Sequence, residues 1–179
     1  MTRLGLLSVA LVFLWAPPTS YARKPADVFK GRVIVSTKRF PTAFKSDRAF
    51  TRYLKKVHRK WVEYGDQKSL DLEFMAFFKK RYGSTEFTGM IFDVTGPRTL
   101  VETFSIYPQQ RTTRVLASNI KLTKETFPEE RRYYFVVTLG QTILAETNFA
   151  IKESAHSRAK RKAAEREAKK TRTYDFGER

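Results

Sequence analysis

The chain has 179 residues, with 35 Lys and Arg against 18 Asp and Glu, two His and no Cys, and a formal net charge of +17. Without cysteine, disulfides, thiolate metal sites and a lipid-modified N-terminal Cys are excluded, so the folded form must stand on its core alone. So basic a balance favours attraction to anionic polymers or surfaces, or solubility, and carries no information about fold.

In chain order, Arg3 precedes an apolar run from Leu4 to Ala16, then Pro17-Pro18 and Ser20-Tyr21-Ala22. Positive residue, apolar stretch, breaker and small-x-small is the order of a cleavable secretory signal, so residues 1–22 are expected to be removed and the protein exported to the periplasm or outside the cell. The apolar run is 13 residues long, short of the ~20 a membrane-spanning helix needs. No second run follows, and no transmembrane segment is expected in the mature form. The remaining 157 residues suit one domain. The expected divisions are a polar leader over 23–28, a folded domain over 29–151 and a basic tail over 152–179.

The first strand is expected over Phe29 to Thr37, around the β-branched Val33-Ile34-Val35. Ser46-Asp47 then offers a helix cap, and Phe50, Tyr53, Leu54, Val57, Trp61 and Tyr64 recur at spacings of three and four, predicting an amphipathic helix ending at Gly65. Arg48, Arg52, Lys55 and Arg59 cluster opposite the apolar stripe. From Ser69 the period becomes two: Leu70, Leu72, Phe74, Ala76 and Phe78 form one face of a strand. Residues 86–95, 100–107, 113–122, 132–139 and 142–151 read the same way, punctuated by Gly96-Pro97, Pro108 and Gly140-Gln141. Short strands at such spacings predict a mainly β fold, an antiparallel sandwich with one inserted helix.

The segment Leu116 to Leu122, the corner Phe127-Pro128, Tyr133 to Val137, the Gly140 turn and Ile143 to Phe149 resembles the last three strands of an immunoglobulin-like domain. A Tyr near the start of the penultimate strand is similar to that fold's tyrosine corner. From the export signal through KRFPTAFKSDRAF and LEFMAFF to ILAETNFAI, the chain also resembles a group of small secreted proteins from myxobacteria-like bacteria. That resemblance implies an immunoglobulin-like β-sandwich and supplies no catalytic motif.

After Ile151 the large apolar residues stop. Residues 152–179 hold ten Lys and Arg against five Asp and Glu, with Ala155, Ala159, Ala163, Ala164 and Ala168 as the repeating nonpolar positions. Ala, Glu, Lys and Arg favour helix, and Glu165 with Lys169 is a supportive pair. The expectation is a solvated helix or a disordered tail.

The inventory for catalysis is thin. His58 reads as a partly exposed helical residue and His156 lies in the tail, without a strained nucleophile turn to serve. Asp71, Glu73, Asp93 and Glu102 read as the solvated faces of strands rather than a paired acid and base. Gly83, Gly89, Gly96 and Gly140 fall one to a turn or strand and make no phosphate-cradling loop. No metal or cofactor is expected. Phe77, Phe92, Tyr107 and Tyr133 offer a ligand platform if exposed, with core packing the default.

Basic surfaces remain. The helix face of Arg48, Arg52, Lys55, Lys56, Arg59 and Lys60 and the tail cluster of Arg158, Lys160, Arg161, Lys162, Arg166, Lys169, Lys170 and Arg172 are the candidate anion-binding groups. The expected role is a non-catalytic exported binding or structural module of the cell envelope or extracellular space, with a protein or an anionic surface as partner. The alternative is an electrostatic binder of anionic lipid, glycan or, without sequence specificity, nucleic acid, through the tail and helix face.

Overall fold

Period-two alternation is the dominant instruction in this sequence, and the computed structural model follows it. The model describes residues 23–175; the expected signal over residues 1–22 lies outside the described residues. The strands are β1 (Arg32–Ser36), β2 (Trp61–Val62), β3 (Ser69–Gly83), β4 (Phe87–Asp93), β5 (Thr99–Ile106), β6 (Thr112–Thr123), β7 (Arg131–Leu139) and β8 (Thr142–Ile151). Three helices accompany them: α1 (Pro25–Val28), α2 (Asp47–Val57) and α3 (Ala155–Asp175).

The sheet order is β5-β4-β7-β8-β1-β3-β6. Pairs within β5-β4-β7-β8 and within β1-β3-β6 are antiparallel. The two halves join where β8 meets β1 in parallel, through Arg32 opposite Glu146. The result is a mainly β, curled half-barrel of mixed pairing, in one hydrogen-bonded path.

Curling brings the inner faces of both halves onto one core. Phe74 of β3 and Phe135 of β7, both fully buried, meet edge to face with ring centroids 4.9 Å apart. Phe78 and Phe87 pack at 5.3 Å. Each such ring contributes about 2–3 kcal/mol by leaving water, which is how a chain without disulfides holds two half-sheets together. The outer face of β1 and β3 needs a second cover: Ile34, Met75 and Phe77 pack with Phe29 behind α1 and with Leu54 of α2. Phe77 and Tyr133 are therefore core, whereas Tyr107 is 70% exposed.

Two local expectations change. The leader 23–28 holds a helical turn, started by Pro25 and tied to the sheet by the ion pair of Asp27 with Arg114 of β6. And α2 ends at Val57 rather than at Gly65. His58 turns extended at φ −57° and ψ 121°, and the next backbone amide, Arg59 N–H, donates to the Val35 carbonyl instead of continuing the helix. Beyond it Trp61 and Val62 pair with Ala150 and Ile151, so Val62 and Tyr64 are buried while Trp61 and Glu63 face outward.

The β6–β7 connection is fastened by two tyrosines. Tyr133 Oη donates to the Pro128 carbonyl at 3.1 Å, and Tyr64 Oη lies 3.0 and 2.8 Å from the carbonyls of Thr123 and Phe127. Burial pushes the Tyr133 hydroxyl pKa up to about 12 and that of Tyr64 higher still, so both remain donors.

After β8, Ser154 caps α3: Ser157 N–H donates to Ser154 Oγ at 3.1 Å, and the same hydroxyl reaches the Gly65 carbonyl at 3.3 Å. The tail is thus helical and anchored at its first turn.

Candidate functional site

The functional geometry lies where the two half-sheets meet. Along one edge β8 pairs with β7 over its whole length, but its other edge touches β1 only at Glu146 and β2 only at Ala150 and Ile151. Backbone donors in the gap are satisfied piecemeal: Glu146 N–H by the Gly31 carbonyl at 3.2 Å, and Ala150 N–H by the Lys60 carbonyl at 2.9 Å. Val35 N–H has no strand to meet and donates instead to Nδ1 of His58 at 3.3 Å. An imidazole therefore stands in for a missing strand's carbonyl.

That bond fixes the ring's state. Nδ1 can accept only when unprotonated, which puts the ring proton on Nε2 and leaves a neutral donor. Burial, and then the charges of Lys60 and Arg32, hold the His58 pKa below its ordinary value. His58 is partly exposed as the sequence-based reading has it, but its helical placement is corrected: it is the residue that ends the helix, and its ring is bonded to the sheet.

Two clefts open beside the ring, and His58, Thr147 and Asn148 line both. The narrower, about 420 Å³, adds Lys30, Arg32, Lys79, Tyr134 and Glu146. The wider, about 640 Å³, adds Lys60, Val94, Arg132, Phe149 and Ala150, and no carboxylate lines it. The Glu146 carboxylate accepts from the Tyr134 hydroxyl, whose pKa is raised to about 12 by burial and then by this bond. Above Tyr134 the Arg98 guanidinium lies 4.6 Å from its ring centroid and 4.1 Å from that of Phe92. Among the described residues, Arg32, Lys60, Lys79 and Arg132 have no ion-pair partner. The seam is a basic cleft with a neutral histidine at its floor.

Of the residues expected to bind anions, Lys60 lines the wider cleft, and the others fall elsewhere. Arg48, Arg52 and Lys55 are exposed on α2. Arg59 does not belong to that face, because the helix has ended and its amide is bonded to Val35. On α3, Lys160, Lys162 and Arg166 are exposed, whereas Arg158 and Arg161 approach the buried Glu153 carboxylate at 3.8 and 3.2 Å. The side chains of Lys169, Lys170, Arg172 and His156 lie outside the described residues. Asp93, weighed as a strand acid, clamps a turn: burial raises its pKa, but the Thr95 N–H at 2.8 Å and Arg131 at 2.6 Å hold it below the usual carboxylate value.

No family model matches the chain, and no curated protein matches it. Among solved structures it is similar to a Bifidobacterium dentium β-glucuronidase complexed with coumarin-3-O-glucuronide, at 12% identity and TM-score 0.35, over 66% of this chain and 16% of that one. It is also similar to Listeria innocua β-glucosidase in complexes with isofagomine and with gluconolactone. These are at 15% and 13% identity, with TM-scores of 0.31 and 0.30, over 53% and 68% of this chain and 15% and 16% of that one. The chain spans about a sixth of the length of these enzymes, and likeness at this level carries no argument about activity. Among the described residues no helix is long and apolar enough to cross a membrane.

Proposed function

We propose that this protein is an exported, non-catalytic binding module that attaches electrostatically to an anionic surface of the cell envelope or extracellular space. The observation that carries the reading is the seam, where Arg32, Lys60, Lys79 and Arg132 converge without ion-pair partners among the described residues. Lys160, Lys162 and Arg166 of α3 add exposed positive charge of their own. A helix of 21 residues reaches about 30 Å, so α3 gives the charge a long arm.

For the scaffold we infer an immunoglobulin-like sandwich. In its support, β1-β3-β6 and β5-β4-β7-β8 face each other over a shared core, and the last strand meets the first in parallel. The Tyr133 hydroxyl also reaches back to the carbonyl of Pro128 just before β7, as a tyrosine corner does. Such frames host many functions, so the scaffold does not name the ligand; the charge does. Export rests on the pattern of residues 1–22.

The test is co-sedimentation of the chain from Arg23 with phosphatidylglycerol-containing and with purely zwitterionic vesicles, at low and high salt. Binding confined to the anionic vesicles and lost steeply with salt is expected, weakened by the combined Lys160→Gln, Lys162→Gln and Arg166→Gln substitutions. Absence of binding, or binding indifferent to salt, would overturn the reading and turn the search to a protein partner.

A further inference from the structure

We propose that the wider cleft of the seam is a discrete site for one phosphate group, with His58 Nε2–H as its neutral donor and Arg132 and Lys60 as its charged ones. The proposal rests on the anion-binding reading above and narrows it from a charged surface to one place.

The lining is a set of donors. Lys60 and Arg132 bring charge from the two sides of β8, one from the segment before β2 and one from β7. Asn148, on the same face of β8 as Ala150 opposite Arg132, offers an amide between them. A planar carboxylate presents two oxygens to such a ring of donors, whereas a phosphate monoester presents three and a diester two in tetrahedral directions. Arg132 can engage two of them at once.

The histidine suits this role because its tautomer is set by the sheet. With Nδ1 committed to Val35 N–H, the ring cannot turn its acceptor nitrogen toward an anion without breaking a backbone bond. The backbone of Arg132 is likewise held through both its polar groups by the segment after β4: its N–H donates to Thr95 Oγ1 at 2.8 Å and its carbonyl accepts from Val94 N–H at 2.8 Å. Among the described residues lining the two clefts the one carboxylate is Glu146, in the adjoining cleft, where it is engaged by Tyr134. Arg132 and Asn148 are thus held on strands and His58 by its bond to one, with the Glu146 carboxylate turned to another donor.

The experiment is an NMR titration of the chain from Arg23 with inorganic phosphate, methyl phosphate and a short-chain soluble phosphatidylglycerol, each at constant ionic strength. The His58 ring and the Asn148 side-chain amide are the reporters. Saturable shifts at both are expected, with Kd raised about tenfold or more by Arg132→Gln or by Lys60→Gln, the effect of losing one charge-assisted contact. Lys121→Gln, exposed on β6 at the far end of the sheet, should leave Kd unchanged. Saturation by all three ligands supports a site that reads the phosphate group alone; saturation by the lipid only supports the same site with a headgroup as its source. Shifts confined to α3 and insensitive to Arg132→Gln would overturn the site while leaving the surface-binding reading standing. Saturation at the seam without any vesicle binding would do the reverse. No saturable shift at His58 with any of the three overturns the proposal.

Discussion

His58 holds the Val35 N–H only while Nδ1 is unprotonated, so the seam carries its own acid limit. Its folded pKa is lowered below 6.5 by burial, then by Lys60 and Arg32; Lys30, Lys79, Arg132, Tyr134 and Glu146 are the other ionisable groups lining the same clefts. A depressed folded pKa means that the unfolded chain takes up the proton first. The contribution of His58 is therefore complete above pH ~6.5 and is lost as pH falls through 6.5 toward the folded value. The limiting slope is about 1.4 kcal/mol per pH unit. Part of the ring remains in water, where neighbouring charges are screened, and a loss under about 1 kcal/mol is expected between pH 6.5 and 5.5. Urea denaturation of the wild type and of His58→Gln at these two pH values measures it, because subtraction removes His156 and the carboxylates. Equal slopes for the two proteins would show that the imidazole is not the titrating bond. Sequence could supply the residue but not this role: spacing places His58 on a helix flank, and only the register of β1 against β8 reveals the amide that needs it.

At the scale of elements, alternation located β3 to β8 to within a residue or two at most ends, because the core-facing positions keep the period along each strand, even in β3, where Met75 and Phe77 are covered on the outer face as well. It failed where two periods overlap. Trp61 and Tyr64 extend the three-and-four spacing of α2, yet Val62 and Tyr64 also alternate, and the edge of β8 decides between the readings by offering partners to a strand. The pairing of β4 with β5 adds a constraint of a different kind. Gly89 lies opposite Phe104, and a Cβ built on it would stand 2.7 Å from Cε2 of that ring. Phe104 cannot swing away freely, since it packs at 6.0 Å on Phe74 and 5.9 Å on Phe135. Gly89→Ala is therefore expected to destabilise by about 1–3 kcal/mol through overpacking, although alanine has the better intrinsic backbone entropy. A chemical denaturation midpoint unchanged or raised in Gly89→Ala would show that the ring relocates without cost. The companion substitution Phe104→Leu should recover part of the loss by opening that space.

At the scale of the whole molecule, the residues of the seam come from positions 30–34, 58, 60, 79, 94, 132, 134 and 146–150, and no local spacing announces them as a set. The basic clusters visible in the sequence, on α2 and α3, are those contiguous along one helix. The topology that assembles the seam also makes it the weakest join in the sheet. The β7–β8 ladder runs from Arg131 opposite Ile151 to Leu139 opposite Thr142, and the β3–β6 ladder from Ser69 opposite Thr123 to Gly83 opposite Thr112, whereas β8 and β1 share the one pair of Arg32 with Glu146. What spans the halves is the core, through Phe74 against Phe135, rather than a ladder. Backbone bonds with few neighbours open locally without waiting for global unfolding. The amides of Val35, Arg59, Glu146 and Ala150 are therefore expected to exchange with solvent deuterium at least about tenfold faster than those of Val136 and Val137 in β7 or Phe74 and Met75 in β3. Exchange followed residue by residue at neutral pH checks this. If the seam amides exchange together with the ladders, the two half-sheets open as one cooperative unit and the core alone sets the strength of the join. If they exchange first, a ligand seated between Lys60 and Arg132 would slow those same amides, and stability and binding would be read at one place.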